Sequence, residues 1–133
     1  MTTIQTRKIR KLFPDNKPRP KEITYTKRDK ILRILFDDGF EFMFPSEFLR
    51  VESPSAEVQG HGPGQKQLVS GRRHVGIMDI TPVGNYAVCI KFDDLHDTGI
   101  FAWDTLYQYG EDKEQIWANY LKALDDAGLS RDP

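Results

Sequence analysis

The sequence says nearly the same thing twice. The stretch Phe36-Asp37-Asp38-Gly39-Phe40-Glu41-Phe42-Met43-Phe44-Pro45-Ser46-Glu47-Phe48-Leu49-Arg50 is echoed about fifty-six residues later by Phe92-Asp93-Asp94-Leu95-His96-Asp97-Thr98-Gly99-Ile100-Phe101-Ala102-Trp103-Asp104-Thr105-Leu106-Tyr107. Each copy reads as the end of a strand, an acidic turn, an aromatic strand and a short segment ending in leucine. Between the aspartate pair and Phe44 or Phe101 the second copy is one residue longer, a surplus that a β-bulge absorbs. From that aromatic to Leu49 or Leu106 the spacing is identical. Such a chain folds into two related hairpin-like halves, and the repeat by itself supplies no reaction.

At 133 residues the chain has the size of one domain with tails to spare. Residues 1–21 are basic and punctuated by Pro14, Pro18 and Pro20, which predicts a flexible basic arm whose last residues join a sheet edge. From Glu22 the pattern turns to period two. Ile23 and Tyr25, then Ile31 to Phe36, then Phe40 to Phe44, form an antiparallel meander with turns at 27–30 and 37–39. A short helix follows over 45–50. Residues 52–66 hold Gly60, Gly62, Gly64, Pro54 and Pro63, and so predict an irregular loop long enough to be functional. Strands are expected at 67–69, 74–83, 86–92 and 100–101, and a helical turn at 103–109. A helix over 111–127 buries Ile116, Trp117, Tyr120, Leu121 and Leu124 and ends at Gly128. The fold class is therefore α+β: a mainly antiparallel twisted sheet of about six strands, two short helices and one long helix packed on it. Residues 22–128 form the single domain, and 129–133 a tail.

Nineteen basic and twenty acidic residues give a formal net charge of -1, so there is no global field for nucleic acid or an anionic membrane. No apolar run approaches the roughly 20 residues that span a bilayer, and residues 1–8 lack the apolar centre of a secretion signal. The expected location is the cytoplasm. Cys89, the sole cysteine, lies in the apolar run 86–92 and reads as a buried, inert thiol. Asp93, Asp94, His96 and Asp97 form the densest titratable cluster. They suit either a histidine raised toward general-base duty by its carboxylates or a turn that uses Asp and His for backbone reasons. Gly60-His61-Gly62-Pro63-Gly64 lacks the Lys-Ser/Thr and the helix start of a phosphate loop. His61, His74 and His96 are followed by Gly-Pro, Val-Gly and Asp-Thr, so the His-x-Asp pair of a facial iron triad is missing. Arg72 and Arg73 either meet an acidic partner or face solvent.

Taken together, Asp37-Asp38-Gly39, Phe48-Leu49-Arg50, Gly64-Gln65 and the 92–97 block with Trp103 and Leu106 resemble the gamma-butyrobetaine-hydroxylase-like N-terminal domain, over about residues 25–110. That domain is of unknown function. It occurs alone in small bacterial proteins, beside iron–sulfur carrier ATPases, and ahead of the catalytic domain of gamma-butyrobetaine and trimethyllysine hydroxylases. In the hydroxylases it is a zinc-bound, dimer-forming module, with three cysteines after the Leu-Arg pair and a histidine of a later Asp-Gly-His block. The resemblance places Ser53, Ser55 and Val58 at the cysteine positions and His96 at the histidine. Hydroxyls and an aliphatic chain are not zinc donors at neutral pH, so the family's zinc site is expected to be lost, and no cofactor is predicted.

The resemblance and the missing catalytic constellation imply a non-catalytic binding or adaptor module, not an enzyme. Its partner is an unidentified protein, and the chain is a monomer or weak homodimer. The expected contact surface comprises Gln59, His61, Gln65, Arg72, Arg73, Asp94, His96 and Asp97. The alternative is a metal-binding protein connected to iron or iron–sulfur handling, with His96, His61 and Asp94 as candidate ligands.

Overall fold

Alternation in Ile31-Leu32-Arg33-Ile34-Leu35-Phe36 decides the first half of the molecule. Leu32, Ile34 and Phe36 are fully buried, and their neighbours lie half-buried on the outer face. The computed structural model describes residues 17–62 and 64–133; most of the expected basic arm lies outside them. Strand β2 (Ile31–Phe36) is the centre of an antiparallel sheet between β1 (Pro20–Thr26) and β3 (Glu41–Pro45). Arg19 joins the sheet edge through its carbonyl, which accepts Asp37 N–H. A second antiparallel sheet has β5 (Ala87–Phe92) between β4 (Ile77–Val83) and β6 (Gly99–Ala102). The strands number six, as expected, but divide into two sheets of three rather than forming one. Val88, Ile90 and Phe92 point inward from β5 and join Leu32, Ile34, Phe36 and Phe44 in one core. Helix α1 (Ser46–Val51) adds Phe48 and Leu49, and the long helix α3 (Trp103–Asp126) adds Leu106 and Tyr107.

The repeat is structural, hydrogen bond by hydrogen bond. In the first turn Phe36 N–H donates to Phe40 O, Gly39 N–H to Phe36 O, and Phe40 N–H to the Asp38 carboxylate. In the second, Phe92 N–H donates to His96 O, Leu95 N–H to Phe92 O, and His96 N–H to the Asp94 carboxylate. Ser46 N–H to Lys30 O is matched by Trp103 N–H to Tyr86 O. The two halves then exchange partners. Tyr107, which follows Leu106, donates its hydroxyl to Asp38 at 2.7 Å, and Arg50, which follows Leu49, donates Nε to Asp94 at 2.7 Å. The surplus residue of the second copy falls at Asp97–Thr98, because the β5–β6 ladder resumes only at Gly99, opposite Ile90.

Several local expectations give way. The helical turn at 103–109 and the helix at 111–127 are one helix, continuous through Gly110. Gly110 is not a break: a Cβ there would clash with the Phe42 ring, so the residue lets helix and strand approach. Leu121 faces solvent, while Tyr120 and Leu124 are buried. Gly128 caps as expected, with φ +67 and N–H bonded to Asp125 O. The 52–66 loop contains a short helix, α2 (Ala56–Gln59), and 67–69 forms no strand because Gln67 N–H is taken by Val58 O. Cys89 lies on the outer face of β5, half-buried, with its thiol donating to Asp97 O. Residues 130–132 are docked: Gly71 and Arg73 donate N–H to Ser130 O and Arg131 O, and Arg131 grips the buried Glu47 with two bonds while lying over Trp117.

Candidate functional site

Helix α2 leans on the β5–β6 turn, and the four positions singled out by the resemblance meet or are enclosed there. His96 is buried by the turn's own hydrogen bonds and by the chain leaving α1. Its Nε2 lies 2.9 Å from Ser53 Oγ and 3.3 Å from Ser55 Oγ. Its Nδ1 lies 3.4 Å from Glu57 Oε2. In the tautomer that carries its proton on Nδ1, toward Glu57, Nε2 accepts from the serine hydroxyls. Ser55 N–H turns back onto Ser53 Oγ at 3.4 Å, and Val58, one turn on, is enclosed. Gly99 lies so close that a Cβ there would stand 2.7 Å from Ser53 Oγ. Glu57 also accepts from Thr98 Oγ1 at 2.8 Å, so the surplus of the second copy serves to reach α2.

Beside this latch, Asp94 is a junction. One oxygen accepts Arg50 Nε at 2.7 Å and Arg72 Nε at 2.8 Å, and the other accepts His96 N–H. Burial works against the Asp94 charge, but the Arg50 bond, the His96 N–H, the Arg50 charge and the Arg72 bond together hold its carboxyl below the usual value. The nearby carboxylates favour the charged form of His96 but do not prevail. Burial and the Arg50 charge hold it below 6.5, outweighing Glu57 and Asp94. A neutral imidazole flanked by serine and glutamate has the order of an activated nucleophile. Ser53, however, has no exposed surface and Ser55 very little.

The donor set does not fit the family's zinc. Tetrahedral zinc takes thiolate or imidazole donors at about 2.0–2.3 Å, whereas positions 53, 55 and 58 offer two alcohols and a hydrocarbon. Both alcohols are bonded to the very nitrogen that would face an ion. Among the described residues, no group of three His, Cys, Asp or Glu side chains could hold a metal. His61 is exposed on the loop with its N–H bonded to Gln65 Oε1, Gln59 donates to Ser53 O, and Arg73 pairs with Asp132. Arg72 and Arg73 are thus engaged within the chain. Arg50 and Glu57 went unrecognised in the sequence. For Arg50 a signal existed, since it holds the same place after Leu49 as Tyr107 holds after Leu106.

These features define a class: a small α+β domain of two strand-turn-strand-helix repeats, stitched together by an aspartate in each turn. The chain matches the family described as gamma-butyrobetaine hydroxylase-like, N-terminal, over residues 23–107, and belongs to it. Two solved structures, each described as the NMR solution structure of a protein, are 46% and 44% identical. They have TM-scores of 0.76 and 0.77, cover 87% and 89% of this chain, and are covered over 91% and 88% of their own. A crystal structure of a protein of unknown function in the DUF971 family, from Acidithiobacillus ferrooxidans, is 36% identical with a TM-score of 0.58, over 68% of this chain and 90% of its own. No curated protein matches the sequence. Among the described residues, no helix is long and apolar enough to cross a membrane.

Proposed function

We propose that this chain is a cytoplasmic, non-catalytic binding module, a monomer or weak homodimer, whose protein partner contacts the loop carrying Gln59, His61 and Gln65 together with the 93–97 turn. The observation that carries this reading is the His96 latch. Ser53 and Ser55 bond His96, and Glu57 stands 3.4 Å from its Nδ1, which supports reading loop and turn as one preorganised face with His61 and Gln65 exposed on it. Preorganisation lowers the ordering cost of association, and the same bonds enclose the groups that chemistry would need.

The test is quantitative capture from source-cell lysate by wild type and by a folded H61A/Q65A/D97A variant. The expected result is a partner whose recovery drops at least tenfold with the variant. Equal recovery of every partner by both forms would remove this face from the proposal.

A further inference from the structure

Leu95 is where the second turn departs from the first. Gly39 has φ +91 and Leu95 has φ +74, at the same place in two turns with the same hydrogen bonds. Left-handed backbone is unstrained for glycine and costly for a residue with a Cβ. Packing does not offset that cost, since Leu95 is 74% exposed, more than any other large hydrophobic among the described residues. Nor can the turn swing to bury it. Asp94 is clamped by Arg50 and Arg72, and His96 is latched to Ser53 and Ser55. A leucine held outward in strain, where the sister turn uses glycine, points from an observed outlier to a function.

The surroundings give the partner's chemistry. Asp93 and Asp97 are exposed, and among the described residues neither has a basic group in ion-pair range. Glu57, with its side chain 63% exposed, completes the rim, while Arg50 and Arg72 are drawn onto Asp94. We propose that Leu95 is the apolar anchor of a protein-docking surface, and that its partner offers an apolar pocket rimmed by lysine or arginine. A second copy of this chain is the poorer occupant, because an isologous contact would set these carboxylates against each other. The inference rests on the reading that this face binds a protein.

The probe is a phage-displayed random peptide library selected on the wild-type chain. The selected peptides are then synthesised and titrated against wild type, L95G, D93N/D97N and H61A/Q65A. L95G keeps the fold, since Gly39 does the same work in the sister turn, and its melting temperature is equal to or above that of wild type. The expected peptides pair large apolar residues with Lys or Arg, bind L95G at least tenfold more weakly, and lose affinity with D93N/D97N and with added salt. Peptides that bind L95G as well as wild type but are lost with H61A/Q65A overturn the anchor and leave the face standing. An absence of any peptide that depends on these residues overturns both. Leu95-dependent self-association in sedimentation overturns the basic partner in favour of a second copy.

Discussion

His96 shows how one residue's surroundings set its use. Its folded pKa lies below 6.5, so below that pH the unfolded chain takes up a proton that the folded chain resists. The stability contributed by neutral His96 is complete above pH 6.5 and is lost as pH falls through the folded value. Urea titrations of wild type and H96Q from about pH 7.5 to about pH 5 should therefore converge toward the acid end; parallel curves would contradict the assignment. The hydroxyl positions make a second prediction. In a tetrahedral zinc site an imidazole nitrogen and a thiolate sulfur stand about 3.5 Å apart, close to the 2.9 and 3.3 Å that separate Nε2 from Ser53 and Ser55. S53C/S55C/V58C should bind one Zn²⁺ per chain with chelator-sensitive stability, read by elemental analysis and by the visible spectrum of its Co²⁺ form. Wild type should do neither, and stoichiometric zinc in wild type would contradict the hydroxyl latch. His96 was legible in the sequence as a site position. Its neutrality was not, because that depends first on burial and then on the charge of Arg50, forty-six residues away in the chain and adjacent only once the halves pair.

At the scale of elements, the strands were legible wherever one face is buried and the other is not. Ile31 to Phe36 alternates, and its register follows from Leu32, Ile34 and Phe36 having to enter the core. Helix α3 was legible only in part, since Gly110 normally lowers helix propensity and its reason for being there is a distant ring. The propensity gain of G110A, about 1 kcal/mol, should be outweighed by overpacking against Phe42, which costs about 1–3 kcal/mol. The expected net result is a destabilised protein in urea melts, with G110A/F42A recovering part of the loss; a stabilised G110A would show that strand and helix separate freely. The 52–66 segment was legible as a long loop but not as a carrier of α2. Four residues give no periodicity to read, and Gln67 N–H on Val58 O is a tertiary bond.

Over the whole molecule, the two copies of the motif are joined by what each lends the other. Tyr107 of the second copy serves Asp38 of the first, and Arg50 of the first serves Asp94 of the second. The two stitches differ in kind and should differ in energy. Y107F removes one donor from Asp38, which keeps the Phe40 N–H, and should cost about 1–2 kcal/mol. D94N leaves the guanidinium of Arg50, itself 9% exposed, without its counter-charge and loosens Arg72 and the His96 turn at once. The pair is part-buried, so the loss should lie between the roughly 1 kcal/mol of an exposed pair and the roughly 3–5 kcal/mol of a fully buried one, with the freed Arg72 and His96 turn adding to it. Equilibrium urea unfolding followed by tryptophan fluorescence and by far-UV circular dichroism should give D94N the larger loss. Each variant should also keep a single transition by both probes, because the halves share one core from Leu32 to Tyr107. A D94N that unfolds in two steps would mean that the Asp94 junction, rather than the core, makes the repeats one cooperative unit.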